Sequence, residues 1–242
     1  MTMDRFANIL LTGPCNQRCP LCIGRTLAAR VLPDNLDRFP LLNLEPFLDL
    51  LVHEGIREIS LTGTNTDPQL YPHEAALLDR LRDRLPGVRV SLHTNGRLVL
   101  DKIDIFNRYD RATVSIPSFR PETIRHMTGC NGGPDLAAIL RRAVIPIKIS
   151  TLVTPDNRRE ISEIISRCKE LAVRRLVLRR LYGETQPEDF FPGCAPVRLF
   201  AGNPVYDVDG LEVTVWDFAR STLRCLNLFS DGTISREYRL AG

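Results

Sequence analysis

Thr12-Gly13-Pro14-Cys15-Asn16-Gln17-Arg18-Cys19-Pro20-Leu21-Cys22 is the stretch on which the reading of the whole chain turns. Three of the seven cysteines fall within eight residues, spaced C-x3-C-x2-C. Three thiolates from one loop can grip three corners of an iron–sulfur cube, and Cys is the usual ligand of such clusters. The fourth iron then has no local ligand and is open to another group. Ile9-Leu10-Leu11 leads into the loop and reads as a buried strand end. The spacing therefore points to a metal cluster at the C-terminal tip of a first strand. A zinc site or loose surface thiols are the simpler alternatives. Zinc prefers four ligands, commonly as two C-x-x-C halves, and the chain has no second C-x-x-C.

On either side of this loop the hydrophobic pattern alternates between two periods. Strands are expected at 6–13, 58–64, 88–93, 112–118, 145–153 and 175–182. Helices are expected from Asn43, as N-cap, to Gly55, and over 72–85, 102–109, 135–143 and 158–171. Six strands alternating with five helices predict an α/β fold with a parallel sheet and right-handed crossovers. In such folds ligands gather at the C-terminal strand ends, where the unusual polar clusters of this chain also fall. The irregular stretch 23–42 is long for a connection and is expected to shield the site. After Gly183 the pattern changes. Residues 184–196 read as a linker, and 205–215 and 227–234 as hairpins with Asp-Gly turns. This divides the chain into a core, 1–183, and a small antiparallel β appendage, 184–242.

Composition narrows the class of protein. With 242 residues, 43% of them hydrophobic and 25% charged, the chain has the make-up of a soluble globular protein. A net charge of +3 gives no clear nucleic-acid signal. No apolar run approaches the ~20 residues needed to cross a bilayer. Asp4 near the start argues against a signal peptide, and an odd number of cysteines with three clustered does not resemble a secreted disulfide framework. A cytoplasmic location is expected.

Cys15, Cys19 and Cys22, with Asn16 directly after the first, resemble the signature of radical S-adenosylmethionine (radical SAM) enzymes. The wider phrase is most similar to the branch containing the molybdenum-cofactor cyclisation enzymes and the peptide maturases. Leu21 departs from the pattern, because the family usually carries an aromatic residue there, beside the adenine. The resemblance covers roughly residues 6–182 and implies a partial (β/α)6 barrel with parallel strands. It further implies a [4Fe-4S] cluster on the three cysteines, S-adenosylmethionine cleaved reductively to a 5′-deoxyadenosyl radical, and an external reductant of flavodoxin or ferredoxin type.

The same resemblance marks further candidates. Gly63, Thr64, Asn65 and Asp67, with Pro68, lie where the family places the turn that holds the methionine amino group. His93 and Asn95 belong to a Thr-Asn-Gly phrase at the end of strand three. Ser115 and Ser118 precede Pro121-Glu122-Thr123, and Thr154-Pro155-Asp156-Asn157 resembles the turn near the adenine. Local chemistry offers an alternative at each position: turn residues, a structural histidine or a helix cap. Lys148 and Ser150 share one face of strand five. A charge in a parallel strand needs a partner or a water-filled lumen. One of Arg179 and Arg180 is expected to face that lumen and clamp an anion, and Arg180 and Lys148 are the catalytic candidates. The arginines and Lys148 favour a small anionic substrate; a peptide substrate, or a non-catalytic iron–sulfur or zinc module that binds a partner, are the alternatives. Cys168 fits a helix core, and Trp216 and the tail aromatics read as packing rather than as a stacking platform.

Overall fold

The computed structural model describes residues 5–183 and 189–237. Six strands of the expected series form: β1 (Arg5–Leu11), β2 (Glu58–Gly63), β3 (Arg89–Thr94), β4 (Arg111–Ser115), β5 (Ile147–Leu152) and β6 (Arg175–Arg179). Between them lie α1 (Leu44–Glu54), α2 (Glu74–Arg84), α3 (Ile103–Phe106), α4 (Pro121–Thr128), α5 (Leu136–Arg142) and α6 (Ile161–Glu170). α4 is an addition to the expected series. Pro121 occupies its first turn and Gly129 closes it at φ 67°, the usual start and stop chemistry of a helix. Among the described residues no helix is long and apolar enough to cross a membrane.

The C-terminal strands are β7 (Arg198–Phe200), β8 (Asn203–Val208), β9 (Leu211–Trp216), β10 (Arg224–Leu228) and β11 (Ile234–Ser235). Both expected hairpins form, β8 with β9 around Asp209-Gly210 and β10 with β11. Each also seats one strand on an edge of the parallel sheet: β10 runs parallel to β1, and β9 parallel to β6. The result is one sheet ordered β11-β10-β1-β2-β3-β4-β5-β6-β9-β8-β7.

Side-chain alternation gives this sheet two unlike faces. One face carries Ile9, Leu11, Ile59, Leu61, Val90 and Leu92, buried against Phe47, Leu48 and Leu51 of α1 and Leu77, Leu78 and Leu81 of α2. Further along, Val114, Ile149, Leu176 and Leu178 pack on Ile164 and Cys168 of α6. The other face carries Asn8, Ser60, Ser91, His93, Thr113, Lys148, Ser150 and Arg179, all from the opposite parity of the same strands. A doubly wound sheet needs apolar residues on both faces. An apolar face under helices and a polar face without them is the pattern of an open, partial barrel with a polar lumen.

The β11-β10-β1 end of the sheet is pinned by side-chain amides. Asn8 Nδ2 donates to Asn227 Oδ1 at 2.8 Å, and Asn227 Nδ2 donates to Ser235 O at 3.2 Å. Asn43, expected to cap α1, makes no side-chain cap. It adopts φ 58° and donates from Nδ2 to Gly232 O at 2.9 Å, tying the start of α1 to the β10–β11 turn. Asn227→Ala strands the buried Asn8 amide without its acceptor, so it should lower the free energy of unfolding by about 1–3 kcal/mol, read from the urea midpoint. An unchanged midpoint would show that the pair carries no stability.

Candidate functional site

The cysteine loop leaves β1 at Leu11 and is held by the turn that ends β2. Thr64 N donates to Leu11 O at 2.9 Å, and the Thr12 and Thr64 hydroxyls lie 2.7 Å apart. Gly13 N donates to Asn65 Oδ1 at 3.1 Å, and Thr66 Oγ1 to Pro14 O at 2.5 Å. Gly63 makes this turn possible: a Cβ there would sit 1.8 Å from Thr66 O. From the far side, Arg18 N donates to Thr128 O at 2.8 Å, and Asn95 Nδ2 donates to Asn16 Oδ1 at 2.7 Å. Thus three strand ends and the end of α4 grip the loop.

The three cysteines are half-buried. Cys15 Sγ accepts from Gln17 N at 3.4 Å, Cys19 Sγ donates to Gln17 Oε1 at 3.4 Å, and Cys22 Sγ donates to Thr64 O at 3.4 Å. Burial pushes the Cys19 thiol up to about 11, and the neighbouring Cys22 and Cys15 push the same way. Burial also raises Cys15, against the opposing pull of Gln17 N–H. Thiols that disfavour each other's ionisation hold their protons until a cation arrives, and metal capture releases them. Among the described residues no three His, Cys, Asp or Glu groups converge on one ion position. A cube spreads its ligands over three irons, so the all-thiol donor set fits such a cluster without that convergence. Cys130, left unassigned by the sequence, lies beside this loop and donates from Sγ to Asn16 O at 3.3 Å. Leu21 is largely solvent-exposed.

Asp67 is not turned toward open space. Its buried carboxylate accepts from Gln69 N at 3.0 Å, Thr94 Oγ1 at 2.9 Å and Asn95 N at 2.6 Å. Burial raises its pKa, and these donors oppose the rise. Asp67 therefore locks the end of β2 to the end of β3 and so sets Asn95. Ser118 is likewise engaged: it donates to Glu160 and accepts from Arg120 N at 2.9 Å, fixing the turn into α4. Asn157 bridges Pro117 O and Leu152 O at 2.7 and 2.9 Å. Glu160, a buried carboxylate that also accepts from Thr123 at 2.6 Å, had no distinguishing sequence signal at its helix start.

Three register rows climb the polar face toward the C-terminal strand ends. His93, Thr113 and Lys148 form the deepest. Ser115, Ser150 and Val177 form the next. Leu152, Arg179 and Trp216 form the uppermost. Of the two arginines it is Arg179 that joins this face; Arg180, the catalytic candidate, instead donates to Asp217 Oδ2 at 3.2 Å. The parity was available in the sequence, since Leu176 and Leu178 claim the helix side and leave Arg179 opposite. Burial, then Lys148, Arg179 and Arg111, hold His93 down at about 3, so it is neutral at ordinary pH. Burial and the three arginines Arg111, Arg179 and Arg175 lower Lys148 to about 8. The polar face thus carries two basic groups, Lys148 and Arg179, below the three-thiol loop.

The radical SAM superfamily model matches residues 9–168, two-thirds of the chain. The chain belongs to that superfamily, whose members bind a [4Fe-4S] cluster and S-adenosylmethionine. Among curated radical SAM relatives, an S-adenosylmethionine-dependent nucleotide dehydratase of Selenomonas ruminantium is 24% identical over 72% of this chain and 66% of its own length. A probable GTP 3′,8-cyclase of Thermococcus kodakarensis is 26% identical over 63% and 51%. The chain thus spans about half to two-thirds of the length of these relatives. Streptococcus suis SuiB bound to S-adenosylmethionine superposes with a TM-score of 0.56 at 15% identity, covering 77% of this chain and 41% of that one. This likeness supports the partial barrel deduced from the two faces.

The pKa of Lys148 gives the lumen a pH signature. Its ammonium is charged below about 8 and neutral above, while sulfate keeps its charge throughout. Sulfate binding, followed by equilibrium dialysis, should weaken as pH rises through that value, and Lys148→Arg should flatten the profile. A flat wild-type profile would remove Lys148 from the anion site.

Proposed function

We propose that this radical SAM enzyme abstracts hydrogen from a small anionic substrate held in the lumen. The observation that carries the reading is the polar face on which the basic Lys148 and Arg179, with neutral His93, stand in register rows beneath the cysteine loop. The two curated relatives named for nucleotide chemistry support the same substrate charge. In this reading Cys15, Cys19 and Cys22 hold the cluster. When bound, that group supplies a 5′-deoxyadenosyl radical from S-adenosylmethionine, using an electron from an external flavodoxin- or ferredoxin-type donor.

The chain's own groups do the positioning. The Gly63-Thr64-Asn65 turn, already hydrogen-bonded to the loop, offers backbone polar groups to the methionine end of the cofactor. Asn95, Ser115 and Ser150 line its further course, and neutral His93 presents a ring nitrogen without adding charge. Lys148 and Arg179 hold the substrate's anionic group, Arg179 able to do so bidentately. Asp67 and Ser118 act one step back, fixing the strand ends. Arg180 acts through Asp217 on the same wall. The part up to β6 supplies the cofactor side, and the later strands flank it on both edges, β9 beside β6 and β10 beside β1. Seven free cysteines suit a reducing, cytoplasmic setting.

Anaerobic reconstitution tests the reading. The wild-type chain should take up iron and acid-labile sulfide and, with S-adenosylmethionine and dithionite, release 5′-deoxyadenosine. Cys19→Ala should lose most of both, and Cys168→Ala should lose neither. Zinc in the anaerobically purified chain, or a cluster that leaves the cofactor intact, would instead support a partner-binding module.

A further inference from the structure

Of the tail aromatics expected to pack, Phe229 is buried and Phe191 packs on Tyr206, whereas Phe200 and Phe218 are exposed, near Tyr182 at the end of the core. Tyr182 is 52% exposed, Phe200 41% and Phe218 45%. Phe200 and Phe218 flank the half-buried Trp216, each with its ring centroid 6.2 Å from the indole, and Tyr182 adjoins Phe218 at 6.4 Å. Isolated exposed apolar residues are ordinary; a contiguous aromatic group marks a binding surface.

The wall is a built feature. Asp217 N donates to Asn203 Oδ1 at 2.7 Å, and Asp217 Oδ1 accepts from Ala219 N at 2.9 Å, fixing the turn that carries Phe218. Arg180 binds the other oxygen of the same carboxylate. Thr222 N donates to Ala201 O at 3.1 Å. Gly202, where a Cβ would sit 2.4 Å from Arg220 O, lets the β7–β8 tip, and with it Phe200, close on that turn.

Its position selects an occupant. Trp216 is the register partner of Arg179 on the polar face. The aromatic wall therefore continues the uppermost row of the lumen outward, beyond the cationic groups. A bare phosphate or carboxylate would use Arg179 and Lys148 and leave the wall uncovered. We infer that the wall formed by Trp216, Phe218, Phe200 and Tyr182 receives the flat ring of the substrate while its anionic group reaches Arg179. The substrate class is then a planar heterocycle or arene carrying a phosphate or carboxylate. This rests on the anionic-substrate reading above and adds the specificity element to it. Rigid aromatic side chains suit such a task, since they present large apolar faces with few torsions to order.

Trp216 is the chain's sole tryptophan, so its emission reports on the wall. The test titrates the reconstituted chain with the four ribonucleoside triphosphates and with inorganic tripolyphosphate as a ringless probe, following Trp216 emission and calorimetric affinity. At least one nucleotide should change the emission and bind about tenfold more tightly than tripolyphosphate, the low end of what stacking a base on an aromatic side chain contributes. Phe218→Ser, at an exposed position where folding should survive, should erase that difference and leave tripolyphosphate affinity unchanged. Tripolyphosphate binding with no nucleotide advantage and a silent Trp216 would overturn the wall while sparing the cationic lumen. Failure of all five probes to bind would sink both.

Discussion

A parallel sheet exposes two faces, and in this chain helices cover only one of them. That constraint governs the rest of the structure. Leu176 and Leu178 of β6, or Ile9 and Leu11 of β1, can be removed from water only by α6 or α1. The opposite parity carries Asn8, Ser60, His93, Lys148 and Arg179, which cannot be buried against apolar partners without a heavy desolvation cost. A sheet with this sequence must keep water, or a polar ligand, on its inner side. The outermost antiparallel pairs, β10–β11 and β7–β8, leave it open rather than closing it, since among the described residues β11 and β7 end the strand order without pairing with each other.

The strand ends on that inner side are locked by hydrogen bonds from side chain to backbone. Asp67 joins β2 to β3, Thr12 and Thr64 join β1 to β2, and Asn157 joins the β4 and β5 ends. Several of these residues were candidates for direct contact with a cofactor. Their geometry gives them a different and complementary duty: each spends its polar atoms on a neighbouring strand end, so the backbone groups between them are held where a ligand would meet them. Preorganisation of this kind is what a fold contributes to cofactor chemistry, the reactive step belonging to the cofactor.

Legibility in the sequence followed the range of each interaction. The six-strand series and the cysteine loop depend on local period and spacing, and both are visible in the residues. α4 was obscured because Pro121-Glu122-Thr123 reads as a site phrase, although Pro at a helix start and Gly129 after it are also helix punctuation. The hairpins were visible from their alternation around Asp-Gly, but where they dock was not: nothing local in Leu226 or Val213 says that β10 meets β1 or that β9 meets β6. Asn43 shows the same limit. Its type suits a cap, yet a carbonyl at Gly232, distant in sequence, claims its amide. Which arginine faces inward needed only a count of parity along β6, whereas the exposure of Phe200 and Phe218 needed the fold.

The inner face brings several basic groups close together. Lys148 is held down at about 8 by burial and by Arg111, Arg179 and Arg175, and His93 is kept neutral by burial and the same cationic neighbourhood. A depressed ammonium pKa means that folding disfavours the charged form relative to the open chain, so below about 8 the folded protein carries that repulsion. An anion entering from solvent would relieve the repulsion, raise the Lys148 pKa and strengthen its own binding in a site of low dielectric. The same groups that cost stability in the free protein would thereby select charge in the substrate. Neutral His93 would favour that selection too, since it can donate or accept a hydrogen bond there without adding a further charge to be desolvated.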